Sequence, residues 1–105
     1  MSDGRRPSDS SDVQERTRNK VAEPAMYRVV LHNDDYTSME FVVEVLIEVF
    51  HRTLEDATRI MLDVHEKGRG VVGTYTFDVA TTKAETVEQL AREREFPLRC
   101  TIEPA

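Results

Sequence analysis

The chain has 105 residues, 39% hydrophobic and 32% charged, which suffices for one small domain but not for a deep catalytic cleft together with a full core. Its formal net charge is -6; residues 1–25 balance five acids (Asp3, Asp9, Asp12, Glu15, Glu23) against five bases (Arg5, Arg6, Arg16, Arg18, Lys20), so all of it falls on residues 26–105. A domain so charged repels phosphate backbones and suits cationic partners, which counts against nucleic-acid binding.

Residues 1–24 are rich in Ser, Asp, Arg and Glu and almost without apolar side chains. Such a segment buries too little surface to offset its ordering entropy, and a disordered N-terminal tail is expected, either an inert leader or an arm that contacts a partner. No run approaches the ~20 apolar residues that span a bilayer, and the N-terminal stretch carries no apolar h-region, so no secretory signal is expected. A soluble, cytoplasmic protein without membrane contact is therefore expected.

Met26–His32 alternates as a strand, with Tyr27, Val29 and Leu31 on one face and Arg28, Val30 and His32 on the other. Asn33-Asp34-Asp35 ends it with turn chemistry. Thr37-Ser38-Met39-Glu40 reads as a capping box, threonine at the N-cap and glutamate three residues on. The helix that follows carries Met39, Val42, Val43, Leu46, Ile47 and Phe50 at spacings of three and four, with Glu40, Glu44 and Glu48 opposite, and should end near Phe50 or His51. Thr53 repeats the cap signal. A second helix then aligns Leu54, Ala57, Met61, Val64 and His65, flanked by Ile60 and closed by Gly68. The short link between the two helices favours roughly antiparallel packing.

Val71–Phe77 reads as a second strand with Val71, Gly73, Tyr75 and Phe77 on one face, and Asp78–Lys83 as a polar turn before a third helix that starts at Thr82. That helix presents Ala84, Val87, Leu90 and Ala91 and is limited by Phe96-Pro97. Leu98, Cys100 and Ile102 alternate in a last strand. The lone cysteine, Cys100, cannot form an internal disulfide and reads as a small core residue rather than a nucleophile. The order β-α-α-β-α-β, with one-sided helices, predicts a two-layer α+β sandwich.

Four readings compete for the polar cluster that starts at Asn33. His32, Asp34, Asp35, His51 and His65 are possible Zn ligands, but no pair has a ligand signature. Asp34, Asp35 and His65 would serve acid–base chemistry, but no nucleophile setting, phosphate loop or cofactor motif accompanies them. An ordinary turn, cap and helix histidine would also account for them, although two aspartates and an asparagine exceed what one turn needs. The fourth reading is capture of a cationic group with an apolar end. An α-amino group, with a pKa near ~8 and three N–H donors, needs acceptors in an arc, and Asn33, Asp34, Asp35 and His65 offer them. Met39, Val42, Met61, Val64 and Leu98 would line an adjoining apolar cavity, where methionines adapt to several side chains.

The run Met26-Tyr27-Arg28-Val29-Val30-Leu31, then Asn33-Asp34-Asp35-Tyr36-Thr37 and Met39-Glu40-Phe41-Val42, resembles the ClpS adaptor family. Ala57-Thr58, Met61, Val64-His65, Gly68, Thr82-Lys83 and Pro97-Leu98 fit it too, and the match covers about residues 25–105. The resemblance implies a tail followed by a three-stranded antiparallel sheet packed on three helices. It also implies a non-enzymatic, bacterial adaptor without metal or cofactor, acting as a monomer. Such adaptors bind proteins whose first residue is Leu, Phe, Tyr or Trp and deliver them to a Clp AAA+ unfoldase (ClpA or ClpC type) and its peptidase. By resemblance Asn33, Asp34 and His65 hold the α-amino group, the aspartate through water or directly, while Asp35 and Thr37 support the loop or touch substrate backbone. Met39, Val42, Met61, Val64 and Leu98 line the side-chain pocket, with Met39 as gatekeeper against β-branched residues. Tyr75, Asp78 and Lys83 match positions that dock the unfoldase N-domain. Two departures stand out: Ser38 where proline is common, which implies a slightly looser loop, and His32 where an apolar residue is common.

Overall fold

Met26–His32 forms strand β1 in the computed structural model, which describes residues 23–105. The expected tail, residues 1–24, lies almost entirely outside the described residues. After β1 come α1 (Met39–Glu48), α2 (Leu54–Lys67), β2 (Arg69–Thr76), α3 (Phe77–Glu93) and β3 (Arg99–Pro104), the β-α-α-β-α-β order read from the sequence.

β1 is the centre of an antiparallel sheet of order β2-β1-β3. Its alternation places Val29 and Leu31 against all three helices, in one core with Phe41, Val45, Leu46, Ile60, Val64 and Val87. Val30, of opposite parity, is also fully buried. Leu31 has no accessible surface, and truncating such a residue to alanine costs about 2–5 kcal/mol.

Thr37 is not the N-cap of α1. Ser38 is: its Oγ accepts the Phe41 N–H at 3.1 Å from extended backbone. The Thr37 hydroxyl is instead engaged with Asp34, which hands the cap to the next residue. α2 begins as expected, with Thr53 Oγ1 accepting the Asp56 N–H. Its buried stripe is Ala57, Ile60 and Val64, whereas Leu54 is 66% exposed. Gly68 closes α2 at φ 90, and its N–H reaches the Val64 carbonyl. Two residues on, a Cβ at Gly70 would lie 2.8 Å from Val64 Cγ2, so glycine lets β2 pass close behind that valine.

The middle of β2 departs from simple alternation. Val29 pairs with Gly73 but Val30 pairs with Val71, so Val72 is an extra, bulged residue. The bulge turns Val72 into the core and leaves Val71 exposed, the reverse of the expected face. Phe77 has left the strand altogether. α3 starts there, with Thr76 in the N-cap position but making no side-chain cap bond, so Asp78–Lys83 is helix rather than turn. The buried series Ala80, Ala84, Val87, Ala91 runs unbroken at helical spacing and overrides the polar local sequence. The outer edge of β3 is blunted: Glu88 Oε2 accepts the Cys100 N–H at 2.9 Å, and Pro104 has no N–H to offer.

Candidate functional site

The loop after β1 is tied to the end of α2 by one backbone hydrogen bond, Asn33 N–H to the Gly68 carbonyl at 2.9 Å. The left-handed turn at Gly68 makes that carbonyl available, and the bond sets the polar loop beside the last turn of α2. Asp34 then organises the loop. Its Oδ1 accepts the N–H groups of Tyr36 at 2.8 Å and Thr37 at 2.7 Å, and its Oδ2 accepts the Thr37 hydroxyl at 2.7 Å. A carboxylate offers about four acceptor positions. Three are taken, and one remains on Oδ2 for a ligand or a water.

Partial burial alone would raise the Asp34 carboxyl pKa. The hydrogen bonds from Thr37 N–H, the Thr37 hydroxyl and Tyr36 N–H outweigh it and hold the group below its ordinary value. Asp34 is thus an anion throughout the neutral range. Asp35 beside it is exposed.

These residues rim a cavity of about 250 Å³, smaller than the roughly 300–1,000 Å³ of sites for drug-sized ligands. One side is polar: Asn33, Asp34, Asp35 and Thr37 from the loop, and His65 from the last turn of α2. The other side is apolar: Met39 and Val42 from the start of α1, Met61 and Val64 from α2. Helical spacing explains the pairing. Met61 and His65 are four residues apart, so they stack on one flank of α2, with Val64 beside them facing the core. Met39 is 47% exposed at the N-terminus of α1, next to its cap. A site with the Asp34 carboxylate fixed in place, the Asp35 carboxylate and Asn33 amide beside it, and a short apolar pocket can hold a small cation that carries a hydrophobic group.

The structure therefore brings together nine of the residues singled out in the sequence. Leu98 is not one of them: it does not line the cavity but is 4% exposed in the main core, just before β3. His32 and His51 also lie apart. His32 pairs across the sheet and bonds Thr101 Oγ1 through Nε2 at 2.7 Å; His51 sits at φ 57 between α1 and α2. Among the described residues no group of three His, Cys, Asp or Glu is arranged to hold a metal ion. Burial, followed by the Glu88 carboxylate, pushes the Cys100 thiol up to about 12, which leaves it a protonated core group.

Tyr75, Asp78 and Lys83 gather at the other end of the molecule. The Lys83 ammonium donates to the Val49 carbonyl at 2.8 Å and lies 5.5 Å and 5.6 Å from the ring centres of Tyr75 and Phe50. Asp78 is exposed in the first turn of α3, between the half-exposed side chains of Phe77 and Val79. Sequence reading misses those two because it places Phe77 in a strand; the helical spacing of Ala80 and Ala84 is the available signal.

Residues 22–101 match the family model described as ATP-dependent Clp protease adaptor protein ClpS. The chain belongs to the ClpS adaptor family. It is 58% identical over 97 residues to the ATP-dependent Clp protease adapter protein ClpS of Acetivibrio thermocellus, covering 92% of this chain and 98% of that one. It is 57% identical over 97 residues to the ClpS protein of Nitratidesulfovibrio vulgaris strain Miyazaki F, covering 92% and 97%. Among solved structures it is similar to Agrobacterium tumefaciens ClpS2 bound to L-phenylalaninamide, with a TM-score of 0.76, 43% identity, and coverage of 78% of this chain and 99% of that one. ClpS proteins are adaptors of the Clp protease rather than enzymes, and the sheet packed on three helices is their fold. Among the described residues no helix is long and apolar enough to cross a membrane.

Proposed function

We propose that this ClpS protein binds polypeptides whose first residue is Leu, Phe, Tyr or Trp and delivers them, as a cytoplasmic monomer, to a Clp AAA+ unfoldase of the ClpA or ClpC type. The observation that carries this is the contact, within one 250 Å³ cavity, of an acceptor arc with an apolar wall. An N-terminal residue is the one part of a polypeptide that joins an ammonium to a hydrophobic side chain on the same carbon. L-phenylalaninamide, held by the similar A. tumefaciens protein, has that chemistry: a free amine, a benzyl group and an amide.

Asn33 Oδ1, the free Oδ2 position of Asp34 and a ring nitrogen of His65 accept the three ammonium protons, the aspartate directly or through water. Thr37 holds Asp34 in place, and Asp35 meets the substrate backbone. The first side chain enters between Met39, Val42, Met61 and Val64. Met39 at the mouth disfavours branching at Cβ. For delivery, Tyr75 and Asp78 dock the unfoldase N-domain with Lys83, whose ammonium keeps two N–H groups beyond the bond to Val49.

A series of peptides that differ only at the first residue tests this, read by fluorescence anisotropy with the dye at the far end. Leu, Phe, Tyr and Trp should bind, Val and Ile at least tenfold less tightly, and Ser or Glu not measurably. Equal binding across the series would overturn the pocket assignment. Asp78→Lys should abolish unfoldase-dependent degradation of a Phe-tagged substrate while leaving peptide binding unchanged.

A further inference from the structure

The helices all pack on one face of the sheet, and the opposite face carries a charge of the other sign from the rest of the domain. Residues 26–105 hold nine of the 14 basic and 15 of the 20 acidic side chains. Among the described residues, Arg28, Arg69 and Arg99 share the outer face with a single acid, Glu103. At one end they form a cross-strand row: Arg69 of β2 and Arg99 of β3 both pair with His32 of β1. At the other end Arg28 pairs with Glu103, whose carboxylate bonds Arg28 Nε at 3.2 Å and Arg69 Nη2 at 2.7 Å. Among the described residues Arg99 has no ion-pair partner. The positive field registers on His32: burial first, then Arg99 and Arg69, lower its pKa.

This basic row lies at the pocket end of the sheet. His32 is the residue before Asn33, and Arg69 follows Gly68, whose carbonyl holds the Asn33 N–H. We propose that the outer face of the sheet, through Arg69 and Arg99, receives acidic side chains of the substrate chain a few residues beyond the pocket. The inference rests on the pocket reading above. An extended chain advances about 3.3–3.6 Å per residue, so positions four to seven lie up to ~10–22 Å from the first residue, enough to round the end of the sheet.

The charge layout argues for a short acidic peptide segment rather than a polyanion. The domain as a whole is negative and repels an extended anion, while Arg99 and Arg69, the latter sharing Glu103 with Arg28, flank His32 from the two outer strands and match carboxylates at close range. Acids at the second residue would instead meet Asp34 and Asp35. The acid preference is therefore confined to later positions.

The test uses the full chain and three peptides starting Phe-Gly-Ser, followed by four Glu, four Ser, or four Glu with the N-terminus acetylated. At low salt the Glu peptide should bind about threefold to tenfold more tightly than the Ser peptide, as expected for two exposed ion pairs. That ratio should fall toward one in 0.5 M salt and in the Arg69→Gln/Arg99→Gln variant. Equal binding of the Glu and Ser peptides, or a preference that survives in the double variant, overturns the proposal. Equal binding of the acetylated and free Glu peptides overturns the pocket reading instead, so the two failures are told apart.

Discussion

Replacing Asp34 by asparagine removes one acceptor while sparing the loop. In the Asp34→Asn variant the side-chain amide oxygen can still take the Oδ1 role, accepting the Tyr36 and Thr37 N–H groups that lie at 2.8 Å and 2.7 Å from the carboxylate. The Thr37 hydroxyl, which donates to Oδ2 at 2.7 Å, can rotate and accept from the new NH2. What cannot be restored is the one free Oδ2 position. It turns from an anionic acceptor into a donor, facing where the substrate ammonium would sit. Loss of one hydrogen bond to a charged group is worth about 1.5–3 kcal/mol, so affinity for a Phe-initiated peptide should drop about tenfold to a hundredfold. Anisotropy titration measures it, and thermal unfolding by circular dichroism checks that the fold is intact. Binding within twofold of the parent protein, with unfolding unchanged, would refute a direct or water-mediated role for Asp34.

Three further outcomes follow from the same geometry. Ser38→Ala removes the bond to Phe41 N–H and should cost about 1 kcal/mol, seen as a fall in Tm of roughly 4–8 °C for a domain of this size. Cys100, buried with its thiol pushed up to about 12, should resist alkylation in the native protein and react only at the rate of unfolding; fast labelling at neutral pH would contradict its place in the core. Asp34 and His32 both have lowered pKa values, so the stability each contributes is present above its unfolded value, near ~3.9 and ~6.5 respectively. Each contribution is lost as pH falls through the folded value. Urea titrations should show His32→Gln flattening the stability loss below pH ~6.5, with the steeper loss near pH ~4 and below kept.

The fold is most legible in the sequence where periodicity is clean. β1 can be read to its residue bounds because strict alternation and a polar turn delimit it. α2 can be read because Thr53 and Gly68 are unambiguous ends, one a cap hydroxyl and the other a left-handed turn. The expected α1 cap is off by one residue because Thr37 and Ser38 compete for the same role, and only the geometry of Asp34 decides between them. The expected α3 start is late because Thr82 and Glu85 imitate a capping box inside a helix whose buried face is alanine, a weak signal in any hydrophobicity pattern. Val72 is hidden by a bulge, which no period of two can reveal. In the site, residues adjacent in sequence or one helical turn apart are found together. Leu98, remote in sequence from the loop and from both pocket helices, proves to be core.

We propose recognition of a free N-terminal ammonium together with the first side chain. Its most direct test compares one Phe-initiated peptide with its N-acetylated twin. Acetylation removes the charge and two of three N–H donors while leaving the benzyl group unchanged. With charge-assisted contacts worth roughly 1.5–3 kcal/mol each, loss of two or more should weaken binding at least ~100-fold. Equal affinity of the two peptides would contradict the account.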